Sequence, residues 1–264
     1  MNAVSGLKSV VKSELLKLKR RTTLFVLPVT MSVASLIIAF TTCISLFIHF
    51  RGENHHAQVL SLSNKNFLGS GITLVIFFLG VAVLSLSASS FASEFSLGTI
   101  KNCFINQPSR MKFTVGKAMA LILYSSALYL LSCFICVLAT LIMGVAGGVN
   151  LGTIFSGDAI LTTSSTFLGS YIALLAYTMI GLISGAIVRS SAPALSIPLI
   201  WLVVIEPVLG GAVKTLSSYL PGALIAKVAT PHSLGGFSGN LLLLLLYLLP
   251  MVYFACRMTA TRDI

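Results

Sequence analysis

Apolar runs about as long as a bilayer is thick alternate along this chain with short polar connections. They cover residues 24–48, 70–91, 118–143, 165–188, 192–211 and 240–256. A helix needs about 20 apolar residues to cross a hydrocarbon core of ~30 Å, and in lipid the backbone must satisfy its own hydrogen bonds. The pattern therefore predicts an all-α integral membrane protein, with six transmembrane helices in one domain over 1–264. The second run passes into the small-residue stretch LSLSASSFAS, which permits close helix contact and is expected to pack inside the bundle. The fifth holds Pro193, Pro198 and Pro207 and is expected to break there.

Ahead of the first run the period changes. Over residues 7–22, Leu7, Val10, Val11, Leu15 and Leu18 share one helical face, and Lys8, Lys12, Lys19 and Arg20 lie opposite. This predicts an interfacial amphipathic helix lying on membrane lipid. Glu14 falls on the apolar face. Two readings stand side by side: it snorkels or pairs with Lys17 or Arg21, or it meets the first interior loop or a partner protein.

Composition supports the membrane reading and charge orients it. Only 9% of the 264 residues are charged, and the mean hydropathy is +1.01. A net charge of +11 in a soluble chain would point to nucleic acid; here the basic residues flank apolar runs, so no nucleic-acid partner is expected. With both termini inside, 13 of the 17 basic residues fall on the interior side, and four, Arg51, Lys65, Lys214 and Lys227, fall outside. That bias predicts a multi-pass membrane protein with cytoplasmic termini. The connections 49–69, 144–164 and 212–239 are then exterior. The first run is too long for a signal-peptide core.

Candidate chemistry is sparse. Cys133 and Cys136 have redox spacing but sit in an apolar run, where packing accounts for them. His49, Glu53, His55 and His56 share one loop without a metal-binding spacing, so no metal is expected. A phosphate-binding loop is excluded around Gly116-Lys117, because Ala118 follows and Met111 replaces the first glycine. Neither HExxH nor GxSxG occurs, and the chain is expected to be no enzyme and to carry no cofactor. Glu206 lies 17 residues beyond Arg189, about 25 Å along a helix, which predicts a position near the outer face. It reads as an interfacial carboxylate, or one paired with Lys214, or else as a negative point lining an exit path for a cationic substrate.

The connection between the second and third runs is the most structured. Glu94, Gly98, Thr99, Lys101, Pro108, Ser109, Arg110 and Lys117 give E-x3-GT-x-K-x6-PSR-x6-K. Gly98 loosens the end of the second span. Residues 99–106 make about two amphipathic turns, with Ile100, Phe104 and Ile105 apolar; Pro108 stops them, and Ser109 is placed to cap the next helix. Glu94 at a helix C-terminus opposes the macrodipole and calls for a cation, with Arg110 or Lys101 nearest in sequence.

This motif resembles the first intracellular loop of permease subunits of type-2 ABC exporters, of the kind found in bacterial peptide-antibiotic immunity and multidrug systems. Tyr219-Leu220-Pro221-Gly222 is similar to the Leu-Pro-Gly these permeases carry between their last two spans, in a segment that commonly forms short helices dipping into the outer membrane. Leu220, Ala223, Leu224, Ile225 and Val228 fit such a helix; Lys227 weighs against deep burial. The resemblance implies that 99–106 is a cytoplasmic coupling helix, and that Glu94, Gly98, Thr99, Lys101, Phe104, Pro108 and Arg110 serve contact with a separate ABC ATPase, which binds ATP and magnesium. It also implies a second permease copy or a paralogous permease, and it places Glu206 and Tyr219 by the substrate path. The function so implied is export of an amphipathic or hydrophobic substrate, an antimicrobial peptide or drug. The alternatives are an exporter of polysaccharide or ions, or a scaffold or sensor that transports nothing. An ion-driven carrier would need acids at mid-span, and the sequence places none there.

Overall fold

The computed structural model describes residues 3–18, 25–49, 67–98, 110–146, 152, 155–188, 190–213, 215, 218–230 and 234–261. Within them the chain forms helices α1 (Ala3–Leu18), α2 (Leu27–His49), α3 (Phe67–Ser96), α4 (Arg110–Ala146), α5 (Gly157–Val188), α6 (Ser191–Ala212), α7 (Pro221–Ala229) and α8 (Leu234–Thr261). Among the described residues there is no strand. Among the described residues five helices are long and apolar enough to cross a membrane, over Gly71–Ser96, Lys112–Val145, Gly157–Val188, Ser191–Ala212 and Phe237–Ala255; Leu27–Thr41 in α2 is a shorter apolar stretch.

The helices overrun the apolar runs that predict them. α3 reaches Ser96, α4 starts at Arg110, α5 starts at Gly157, and α8 extends from Leu234 to Thr261. Hydropathy marks only the part that sits in lipid, whereas backbone hydrogen bonding continues through polar residues until something stops it. α5, with 32 residues, is about 48 Å long. The connection expected over 144–164 is accordingly shortened. At the end of α3 the stop is Gly98, whose φ of 67° follows the bonds Leu97 N–H to Ser93 O and Gly98 N–H to Phe95 O. It terminates the helix rather than loosening it.

α3 and α5 form the centre and run parallel. A Cβ on Gly181 would stand 2.5 Å from the Leu84 carbonyl oxygen, and one on Gly185 would stand 2.6 Å from that of Ala88. The two glycines are four residues apart and lie on the same small-residue face of α3 that the sequence marks, so backbone meets backbone. Ala194 of α6 joins Ala88 and Ala92 on that face. α2 and α1 pack on α4. A polar seam joins α4 to α5: Tyr129 donates to the Phe167 carbonyl at 2.7 Å, and Ser126 and Tyr171 hydroxyls share a bond of 2.9 Å.

α6 does not break at its prolines. Pro193 lies in its first turn, where the missing N–H costs nothing. Pro198 is accommodated inside Ser191–Ile200. The strain of Pro207 is met by a wide turn at Trp201–Ile205, across which the Glu206 N–H bonds the Trp201 carbonyl, five residues back. A proline ring crowds the carbonyl four residues before it, and widening the preceding turn moves that carbonyl away. The helix therefore bends its spacing and continues. Between α6 and α8, the expected re-entrant segment holds α7, whose Leu224, Ile225 and Val228 are buried against α5 and α8. Lys227 is half-buried and its ammonium reaches back to the Ser218 carbonyl at 3.2 Å, so its charge does not oppose burial of the other face.

Candidate functional site at the basic end of the bundle

Three helices meet where α3 ends and α4 begins. α1 approaches α4 at Gly116, where a Cβ would lie 2.6 Å from Val10 Cγ1. Only a glycine admits Val10 here, and that contact sets the depth of α1. One turn after Val10, Glu14 is brought beside Lys117, which follows Gly116. α3 contributes Phe91 and Glu94, three residues apart on one face; α4 contributes Phe113 and Lys117, four apart.

These side chains close an ionic cluster. Lys117 Nζ lies 2.8 Å from Glu94 Oε1 and 3.3 Å from Glu14 Oε2. Lys17 Nζ lies 2.5 Å from Glu14 Oε1 and 2.8 Å from Glu94 Oε1. Lys117 is only 2% exposed and its ammonium sits over the rings of Phe91 and Phe113, with centroids at 5.5 and 5.8 Å. Glu14 and Glu94 are buried as well. A buried lysine is tolerated only when paired, and here two carboxylates face it. The Lys17 side chain is 49% exposed. Partial burial pulls its pKa down, but the hydrogen bonds it donates to Glu14 and Glu94 and the attraction of both charges outweigh this, so the net shift is upward. Two acids and two lysines from three helices thus tie α1, α3 and α4 at one end.

Several site expectations are revised by this geometry. Glu94 is held by Lys17 and Lys117; Lys101 and the Arg110 side chain, its nearest candidates in the sequence, lie outside the described residues. Glu14 pairs with Lys17, as one reading has it, and also joins α3 and α4 through Lys117. The inward face of α1 therefore runs Val10, Glu14, Leu18, and Leu15 and Leu16 are exposed on the protein. An acid can occupy that face because its counter-ions wait on α4 and on its own next turn. The coupling helix at 99–106, with Thr99, Lys101 and Phe104, and also Pro108, Ser109 and residues 19–22 all lie outside the described residues. Sequence reasoning offered Lys17 as a partner for Glu14 and placed Lys117 in the loop motif, but brought neither lysine to Glu94. The signal was a Glu14–Lys17 pair on an otherwise apolar face and an acid at a helix C-terminus, both asking for cations.

At the opposite end, Glu206 is buried. Its Oε1 accepts the Trp201 Nε1 hydrogen at 2.8 Å, and its Oε2 accepts the Gly222 backbone N–H at 2.8 Å, at the start of α7. A carboxylate at a helix N-terminus meets free N–H groups and the positive end of the dipole. Lys214, its expected partner, lies outside the described residues, and Tyr219 is exposed in the turn before α7.

Long apolar helices packed through small residues make this a multi-pass, all-α membrane protein. A family model described as ABC-2 family transporter protein matches residues 10–205, and the chain belongs to that family. It is a membrane component of an ABC transporter, a class that works with an ABC ATPase and is generally not itself catalytic. The match begins at Val10 of α1 and ends at the wide turn of α6. No curated protein matches the chain.

Proposed function

We propose that this chain is the six-span permease of an ATP-driven exporter in a bacterial inner membrane, with both termini and the α3–α4 connection in the cytoplasm. α2, at 23 residues, supplies the sixth span. The energy comes from ATP and magnesium bound by a separate ABC ATPase, and a second permease, identical or paralogous, completes the path. The substrate is amphipathic or hydrophobic, an antimicrobial peptide or drug, because six spans with few polar groups suit a lateral cleft between two permeases better than an aqueous pore. In this reading Glu94, Gly98, Thr99, Lys101, Phe104, Pro108 and Arg110 form the ATPase-coupling loop.

The observation that carries the reading is the ionic cluster. The connection that would receive the ATPase leaves α3 just after Glu94 and re-enters α4 about two turns before Lys117, and these two residues are bound to each other and to α1. Displacement of the loop is thereby passed to three helices at once, rather than lost in a flexible turn. The test is ATP hydrolysis by the permease reconstituted with its ATPase, with and without a panel of cationic amphipathic peptides. Glu94→Gln and Glu14→Gln are expected to insert normally and to lower stimulated turnover to about a tenth, the effect of roughly 1.4 kcal/mol on a rate. Wild-type stimulation in both variants would sink the coupling role.

A further inference from the structure

The outer half of α6 is attached to the protein in an unusual way. No residue of Trp201–Ile205 is buried, and in Glu206–Ala212 the buried residue is Glu206. Val203, Val204 and Val208 face outward. The segment's hydrophobic attachment comes from half-buried side chains such as Leu202, which packs against the core, and not from any fully buried apolar residue. What it has instead is directional: the bonds of Glu206 to Trp201 and to the N-terminus of α7.

The wide turn makes this arrangement possible. In a regular α-helix, residues five apart point about 140° away from each other. The wide turn carries one extra residue, so Trp201 and Glu206 come to the same side and the indole N–H reaches the carboxylate. Gly222 completes the fit, since a Cβ there would stand 2.5 Å from Glu206 Oε2 and 3.0 Å from Leu202 Cδ2. Opposite the contact, α7 is seated firmly by Leu224, Ile225 and Val228, and the Ser170 hydroxyl donates to its Ala229 carbonyl at 3.4 Å. A fixed anchor, a weakly packed arm and a turn with irregular spacing between them are the parts of a hinge and latch.

We propose that the outer half of α6 is a flap hinged at Trp201–Ile205 and latched to α7 by Glu206, and that Trp201, Glu206 and Gly222 are positioning residues whose latch opens during transport. In this role Glu206 acts on the chain itself, its two oxygens holding the Trp201 and Gly222 N–H donors. The second half of the statement rests on the transport reading; the first does not.

Trp201 is the one tryptophan of the chain, so its fluorescence reports the latch without labelling. The purified full-length protein is compared with Glu206→Gln, which turns an amide donor toward one of the two N–H groups, and with Gly222→Ala, which leaves the charge intact and obstructs the contact. Losing one hydrogen bond to a charged group moves the latched-to-open ratio by about tenfold or more. Both variants are expected to shift Trp201 emission and to raise its acrylamide quenching constant by about twofold or more, while Lys17→Met at the other end leaves both at wild-type values. Unaltered emission and quenching in Glu206→Gln and Gly222→Ala, in protein that elutes and melts as wild type, would overturn the latch. If the latch opens in the cycle, both variants also raise peptide-free ATP hydrolysis in the assembled complex by threefold or more, roughly the effect expected when part of a hydrogen bond's free energy is removed from a step. Wild-type hydrolysis in both would overturn the opening step. The emission measurement needs no ATPase, so failure of the latch is distinguishable from failure of the exporter reading.

Discussion

At the scale of single residues, the four ionic side chains at the basic end are not equivalent. Lys117 is enclosed by Phe91, Phe113 and two carboxylates, whereas Lys17 reaches the same carboxylates from a half-exposed position. Removing one partner from a buried ion pair costs about 3–5 kcal/mol, because the other charge stays behind; an exposed pair is worth about 0–1 kcal/mol. Lys117→Met is therefore expected to destabilise the protein by about 3 kcal/mol, and Lys17→Met by about 1 kcal/mol or less, in denaturant unfolding in detergent. Equal effects would show that burial does not govern the cluster. Exchange of charges, Glu94→Lys with Lys117→Glu, is expected to recover part of the loss caused by either change alone. That Glu94 needs a cation could be read from its place at a helix end. Which cation supplies it could not, because Lys17 lies 77 residues away and nothing in local spacing says that α1 returns to this point.

At the scale of elements, the parallel pair α3 and α5 depends on the absence of two side chains. Gly181→Ala and Gly185→Ala each push a Cβ into a backbone carbonyl that cannot rotate away. Overpacking of this kind costs about 1–3 kcal/mol, and thermal unfolding in detergent is expected to show both variants clearly destabilised. Gly211→Ala is the contrast: a Cβ there meets nothing within 4 Å, and the helix preference for alanine makes the change neutral or stabilising by up to about 1 kcal/mol. The small-residue run of α3 was legible as a packing face, since small residues in lipid have little other use. Its partner was not, because glycines in α5 look like those of any apolar run until a neighbour is placed against them. The helix ends were the least legible feature. They are set by Gly98 and by polar turns that continue helical hydrogen bonding after hydropathy has dropped.

For the whole molecule, the alternation of apolar runs and polar connections carried the membrane-spanning, all-α character directly. The positions of α1 and α7 had to come from contacts, since neither is long enough for hydropathy to place it. The proposed orientation can be tested in a background lacking the five native cysteines. Leu16→Cys and Leu97→Cys, both exposed at the basic end, are expected to react with a membrane-impermeant maleimide only after the cells are opened. Tyr219→Cys, exposed before α7, is expected to react in intact cells. The reverse pattern would invert the protein in its membrane.

The wide turn in α6 also governs which changes of chain length the protein can absorb. Elsewhere in a packed helix, losing one residue rotates everything downstream by about 100° and turns buried side chains outward. Between Leu202 and Ile205 the helix already carries a surplus residue, so deleting Val203 or Val204 restores regular spacing and leaves both halves facing as before. Trp201 and the carboxylate now at Glu206 become four residues apart, still on one side. With Pro207→Ala removing the ring that a regular turn would not admit, the shortened chain is expected to retain wild-type Trp201 quenching and to melt within a few degrees of the parent. The same deletion in the middle of α5 is expected to prevent folding. α6 is thus a span that can lose a residue without disturbing what lies on either side.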